Sequence, residues 1–119
     1  MNTLQDLIKK YAAQYKEQVV AWRRHIHSHP ELSGNEKNTS LFIQKVLGEL
    51  GISFVNDVSD YAVIGKIEGA QPGPVIALRA DIDALPIHET TGLPFASEND
   101  GVMHACGHDS HIAILLGAA

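Results

Sequence analysis

Cys106 and His108, separated by a single glycine, are residue types that commonly bind transition metals. A thiolate and an imidazole at this spacing are both good ligands for zinc and similar ions. Gly107 lets the backbone bend so that the two side chains can face one point. With His104 and His111, three histidines surround one cysteine within eight residues. This favours a metal site over two alternatives, a buried free cysteine beside packed histidines and a thiol nucleophile with a histidine base.

Two carboxylates, Asp81 and Asp83, follow an apolar run at residues 75–80. The run is apolar on both faces except at Arg79, which predicts an inner strand of a covered sheet. Ligands of open α/β sheets collect at the carboxyl ends of strands. Because two neighbouring carboxylates repel each other unless a proton or a cation intervenes, a metal is a natural partner for this pair. A pair of loop-capping aspartates is the alternative.

A long amphipathic helix precedes these motifs. Apolar residues recur at steps of three and four over residues 4–26, which predicts one buried stripe, and Pro30 ends the helix. His25, His27 and His29 lie at this end. They form either a polar helix terminus, where cations suit the dipole, or a metal cluster, although residues two apart do not share a helix face.

A second helix is predicted between a capping box at Ser33 and Glu36 and Gly51, which suits a left-handed C-cap. After Gly51 the period changes, and strands are predicted at residues 52–58 and 62–67. Helices followed by strands, with a buried strand after them, indicate an α/β layer structure.

The final third of the chain combines a long connection with an apolar end. Residues 84–105 show no clear period, and connections of this length are usually functional; a short strand is possible near residues 93–96. Residues 112–119 favour a helix or a buried strand, and Asp109 or Ser110 could cap such a helix. Because domains seldom end inside an apolar element, we expect the 119 residues to be a truncated piece.

Composition excludes several functional classes. The net charge of -5 argues against a nucleic-acid partner. One cysteine cannot form a disulfide within its own chain, which suits a reducing compartment. The longest apolar run has eight residues, too few to cross a membrane, and no signal peptide is apparent. We therefore expect a soluble, cytoplasmic protein.

Three ordered motifs resemble the M20 metallopeptidase family. They are RRHIHSHPEL at residues 23–32, LRADIDALP at 78–86 and MHACGHD at 103–109. Within the family they are most similar to the branch of N-acyl amino acid amidohydrolases, hippurate hydrolases, auxin-conjugate hydrolases and acetyldiaminopimelate deacetylases. The resemblance runs from the first helix to the end of the chain and corresponds to roughly the first third of such a protein.

The resemblance implies an α/β fold, a three-layer α/β/α sandwich, of which residues 1–119 would be the N-terminal part of the catalytic domain. It also implies two divalent transition metals (Zn, Mn, Co or Ni) in the complete site. Cys106 and His108 match metal ligands of this branch, and Asp83 matches the aspartate that orients a metal-bound group. Asp81 stands where many relatives have a ligand histidine, and is a further candidate ligand. The general-base glutamate would lie downstream of this chain.

The implied activity is hydrolysis of the amide bond of N-acyl amino acids or related small amides by a metal-activated water. The expected partners are a small-molecule or peptide substrate and, in the full-length protein, further copies of itself, with no nucleic acid and no membrane. Without its general base the 119-residue piece would be inactive alone. The alternatives are a dipeptidase or carboxypeptidase, a non-catalytic metal-binding module and a metal-free thiol enzyme.

Overall fold

The computed structural model describes residues 3–119, which form three helices and a two-stranded sheet. In chain order the elements are α1 (Leu4–Ser28), α2 (Lys37–Glu49), β1 (Ser53–Val55), β2 (Ile64–Lys66) and α3 (His108–Ala118). The two strands pair antiparallel, with Phe54 opposite Gly65. Within residues 3–119, no helix has the length and apolar character that crossing a membrane requires.

The core lies where the C-terminal half of α1 meets α2 and α3. Its buried apolar side chains come from all three helices: Ile26, Ile43, Val46, Leu47, Ile112 and Leu116. The apolar stripe predicted for α1 is buried only at this end, because Leu4, Ile8 and Tyr11 are exposed. Tertiary packing therefore fixes the second half of α1, the half that carries the histidines.

The inner strand predicted at residues 75–80 is not formed. Val75 is 97% exposed and Leu78 is 72% exposed. A strand needs a partner for its backbone N–H and C=O groups, and among residues 3–119 the strands β1 and β2 pair only with each other. The prediction failed because apolar composition indicates burial without supplying the neighbouring strand. The strands predicted at 52–58 and 62–67 are confirmed in place as the shorter β1 and β2.

The connection at residues 84–105 contains no strand near residues 93–96. It is held instead by two isolated bridges, Leu32 with Ala84 and Leu85 with Met103. The amide of Ala84 also donates to the carbonyl oxygen of Glu31 at 2.8 Å. These bonds anchor the backbone directly after Asp83 to the segment between α1 and α2.

The capping box predicted at Ser33 and Glu36 is wrong. Helix α2 begins later, at Lys37, and Glu36 makes no side-chain cap bond. Gly34 has φ +83°, a left-handed conformation that cannot continue into a helix. The C-cap prediction is confirmed, because Gly51 follows the helix with φ +71°.

Glu31 caps α2 from outside the helix. Its carboxylate accepts the backbone amides of Thr39 at 2.6 Å and Asn38 at 3.1 Å, together with the side-chain donors of the same two residues. Burial would raise the pKa of Glu31, but these hydrogen bonds outweigh it and the pKa is lowered. One carboxylate thus satisfies two of the amides that a helix start leaves without partners.

Replacing Glu31 with glutamine should lower the free energy of unfolding by about 1 kcal/mol, since a neutral amide accepts weaker hydrogen bonds at the helix start. Because the pKa of Glu31 is lowered on folding, its contribution is present above the usual carboxylate pKa and is lost as pH falls through the folded value. Urea denaturation at neutral pH and at about pH 3 measures both effects. Ser33→Ala is the control, and an equal loss in that variant would support the capping box instead.

Candidate metal centre

The imidazole of His108, at the first position of α3, is held by Asp83. Its Nδ1 lies 2.9 Å from Asp83 Oδ1 and 2.9 Å from the Asp83 carbonyl oxygen. Because both partners are acceptors, Nδ1 must donate, and a neutral ring then presents a bare lone pair on Nε2. This is the tautomer in which a histidine binds a metal through Nε2. The ring is accessible, since 18% of its side chain is exposed.

Gly107 turns the chain between Cys106 and His108. Its φ is +86°, in the left-handed region that favours glycine, and its carbonyl oxygen accepts the amides of Ser110 and His111 at 3.1 Å. Cys106 precedes this turn as an exposed free thiol. The candidate thiol ligand and the candidate imidazole ligand therefore flank one glycine turn at the start of α3.

Of the helix or buried strand predicted at residues 112–119, the helix is formed, as part of α3, which ends at Ala118. The cap predicted for this helix is wrong. Gly107 is the N-cap residue, and no side chain makes a cap bond there. Neither Asp109 nor Ser110 caps the helix, because the helix begins one residue before Asp109 and the Asp109 carboxylate is buried in the core.

Asp81 and Asp83 have different partners. Asp81 Oδ1 accepts a hydrogen bond from Arg79 Nε at 2.9 Å and lies 2.8 Å from Arg79 Nη2 in the same ion pair, and about half of its side chain is exposed. The two aspartates do not continue a strand. Only Asp83 contacts the His108 ring, so a ligand role for Asp81 stays a prediction.

The donor chemistry at the turn fits a transition metal, and the ligand set in this chain is partial. No group of three His, Cys, Asp or Glu side chains that could hold a metal forms within residues 3–119. Cys106 and His108 offer two donors, whereas catalytic zinc sites use three protein ligands and structural sites four. A metal bound here would need further ligands beyond this pair.

A buried ionic network lies on the inner side of this turn, centred on His27. Its Nδ1 is 2.7 Å from Asp109 Oδ2 and its Nε2 is 3.0 Å from Glu89 Oε1. Arg23 Nε donates to the same Asp109 oxygen at 2.8 Å. The Asp109 and Glu89 side chains are 1% and 3% exposed, so His27 and Arg23 face two buried carboxylates.

The network separates the three histidines that end α1. His27 points into the interior, whereas His25 stacks on His29 with ring centroids 4.5 Å apart and on Phe42 at 4.3 Å. A metal cluster of these histidines is therefore not formed. The role of His27 was missed because its partners, Asp109 and Glu89, are 82 and 62 residues away, and no local spacing reveals such pairs.

His104 is buried beside the network. It is 4% exposed, and neither ring nitrogen has a hydrogen-bond partner within residues 3–119; the same holds for Asp109 Oδ1. Burial lowers the pKa of His104, against an opposing effect of the Asp109 charge. A neutral His104 therefore suits this interior.

Glu89 makes the stability of the protein depend on pH in the acid range. Burial would raise its pKa, but hydrogen bonds from Thr91, His27 and the Ser97 amide outweigh burial and lower the pKa to about 2. A carboxyl whose pKa is lowered on folding stabilises the protein above its unfolded value, near 4.5, and this contribution is lost as pH falls towards 2.

Glu89→Gln should lower the free energy of unfolding by about 3 kcal/mol at neutral pH, because it leaves part of a buried ionic network without its partner. It should also flatten the fall in stability between about pH 5 and pH 2. Denaturant titrations across this range measure both. The exposed Glu98, 3.7 Å from His29, provides the control substitution, Glu98→Gln. A Glu89→Gln protein with wild-type acid sensitivity would contradict the account.

The chain matches one family model and is similar in sequence to several known proteins. Residues 77–119 match the model of Peptidase family M20/M25/M40. An N-acyl-L-amino acid amidohydrolase of Geobacillus stearothermophilus is 49% identical over 94% of this chain. Thermostable carboxypeptidase 1 of Saccharolobus solfataricus is 47% identical over 98% of it. The chain spans 30% of the length of each of these relatives.

A solved structure supports the same relationship. The YXEP protein of Bacillus subtilis, described as a dinuclear metal-binding peptidase of the M20 family, superposes with a TM-score of 0.84 at 48% identity. The match covers 87% of this chain and 30% of that one. It confirms the α/β fold class expected from the sequence. In its motifs, its relatives and its fold, the chain is similar to the M20 peptidase family.

Proposed function

We propose that this chain is the N-terminal part of the catalytic domain of a metal-dependent hydrolase that cleaves the amide bond of N-acyl amino acids or related small amides. The observation that carries the proposal is the pair of hydrogen bonds from His108 Nδ1 to Asp83, which leaves Nε2 free to bind a metal. The name of the Geobacillus relative supports the substrate class. The description of the YXEP protein supports a dinuclear site.

Cys106 and His108 would hold metal through Sγ and Nε2, and Asp83 would fix the ring of His108. Asp81 is a further candidate ligand, and to bind a metal ion its carboxylate would have to leave Arg79. When bound, a divalent transition metal (Zn, Mn, Co or Ni, two in the complete site) polarises the scissile carbonyl and lowers the pKa of a water. The exposure of Cys106 keeps this face of the turn open to substrate.

Amide hydrolysis also needs a base, because the attacking water loses a proton that ends on the leaving amine. Glu89 is unsuited to this role, since its carboxylate is buried and accepts hydrogen bonds from His27, Thr91 and Ser97. The resemblance to the M20 family implies instead that the general base is a glutamate outside these 119 residues. These 119 residues alone would supply and orient metal ligands, but they would not complete the hydrolysis of the amide.

A dipeptidase or carboxypeptidase activity is the second candidate, favoured by the carboxypeptidase named among the relatives. The two activities differ in the group on the acyl side of the scissile bond. Hydrolysis of an N-acetyl amino acid and of an N-blocked dipeptide by the whole protein, compared by kcat/KM, distinguishes them. A thiol enzyme would be blocked by an alkylating reagent and would resist a chelator, whereas the metal-dependent enzyme loses activity to a chelator.

Cys106→Ser should weaken zinc binding by the chain at least tenfold, because a hydroxyl is a poorer ligand for zinc than a thiolate. Competition with a chromophoric chelator measures the affinity. His111→Gln is the control, since His111 is exposed on α3 with its ring centroid 6.2 Å from that of His108. Unchanged zinc affinity in Cys106→Ser would remove Cys106 from the site.

Asp83→Ala should reduce zinc affinity about 10- to 100-fold, the usual effect of removing the carboxylate that orients a ligand histidine. The same titration on Asp81→Ala separates the two aspartates. A comparable loss there would make Asp81 a ligand, and wild-type affinity would leave it as the partner of Arg79. If Asp83→Ala binds zinc as tightly as the wild type, the orienting role is wrong.

A further inference from the structure

We propose that His27 and Arg23 on α1 are positioning residues for His108, and that they act through Asp109. The inference rests on the proposed role of His108 and extends the site to a helix that contributes no ligand. The residues form a continuous chain of contacts, from Arg23 and His27 to Asp109 and from Asp109 to its neighbour His108.

The start of α3 is not fixed by its own sequence. Its N-cap is Gly107, which has no side chain to bond the free amides of the first turn. Glycine also restricts the backbone less than any other residue. The Asp109 carboxylate, fully buried and bonded to Arg23 and His27 at 2.8 and 2.7 Å, therefore holds the first turn in place.

His27 also holds the connection at residues 84–105. Through Nε2 it holds Glu89, whose other oxygen accepts the amide of Ser97 at 2.7 Å. The long connection that begins beside Asp83 is thus attached to the same imidazole as α3. Each ring nitrogen faces a carboxylate at 3.0 Å or less, so one side chain sets the separation between two segments.

The His108 tautomer depends on that separation. Its Nδ1 meets two acceptors of Asp83 at 2.9 Å, and hydrogen bonds weaken steeply once distance and angle depart from these values. If Asp109 is released, the first turn of α3 can shift relative to Asp83. The ring then loses the bonds that select Nδ1–H.

The test is the tautomer of His108 in the metal-free chain, read from the ring ¹⁵N shifts at a pH where the imidazole is neutral. Nδ1–H should be the major form in the wild type. It should become the minor form in His27→Gln, because one amide group can donate to only one of the two carboxylates. Arg23→Gln should shift the populations in the same direction, and it decides the question if His27→Gln does not fold, since Arg23 is partly exposed.

Two matched controls separate positioning from general destabilisation. Arg24 stacks on Phe95 as Arg23 does, at 4.9 and 5.1 Å, but makes no bond to Asp109. His29 lies two residues from His27 and is half exposed. Arg24→Gln and His29→Gln should keep the wild-type tautomer. Wild-type populations in folded His27→Gln, or in Arg23→Gln if His27→Gln does not fold, would overturn the proposal, as would an equal shift in the controls.

A second readout links the network to the metal. Zinc affinity should fall about 10- to 100-fold in His27→Gln. It should fall no further in His27→Gln combined with Asp109→Asn than in Asp109→Asn alone, because both changes break the same chain of contacts. The tautomer is measured without metal, so the two proposals can fail separately. Activity of the whole protein that survives a chelator would reject the proposed function and leave the positioning test intact.

Discussion

The imidazole of His27 lies between two carboxylates that solvent hardly reaches, Asp109 on α3 and Glu89 in the long connection. Taking a carboxylate out of water costs several kcal/mol unless it meets a cation or hydrogen-bond donors in good geometry. The packing of α1 against α3 therefore requires a donor at this point of the interface. Because Ile26, adjacent in sequence, belongs to the apolar core, the ionic contact and the apolar contact specify the same arrangement of helices.

The geometry of the candidate metal site depends on these contacts of His27. Asp109 fixes the first turn of α3, Glu89 fixes the connection that follows Asp83, and His108 and Asp83 meet where these segments converge. Apolar packing alone would permit small rotations of α3 about its axis, whereas short hydrogen bonds to a buried carboxylate do not. The turn that carries the candidate ligands Cys106 and His108 is thus held by bonds within the chain, which would reduce the ordering that metal binding must impose.

The sequence predicted the parts of this arrangement that depend on local spacing. The stripe of α1, the left-handed Gly51 and the Cys-Gly-His turn each follow from residues within a few positions of one another. Contacts between distant residues were not predictable, because nothing near His27 marks Asp109 or Glu89 as its partners. The capping-box rule also failed, because the start of α2 is capped by Glu31, which lies outside the helix, and not by Ser33. The apolar run at 75–80 predicted a buried strand, but Val75 and Leu78 are exposed, because a strand also needs a second segment to pair with.

The central claim is that the Cys106 thiolate and His108 Nε2 bind one metal at the turn that the network holds. X-ray absorption at the zinc edge of the zinc-loaded protein tests it most directly, since it reports the atoms bonded to the metal. The account predicts a sulfur scatterer at about 2.3 Å together with imidazole nitrogen at about 2.0–2.1 Å. A coordination shell of light atoms alone, with no sulfur, would contradict it.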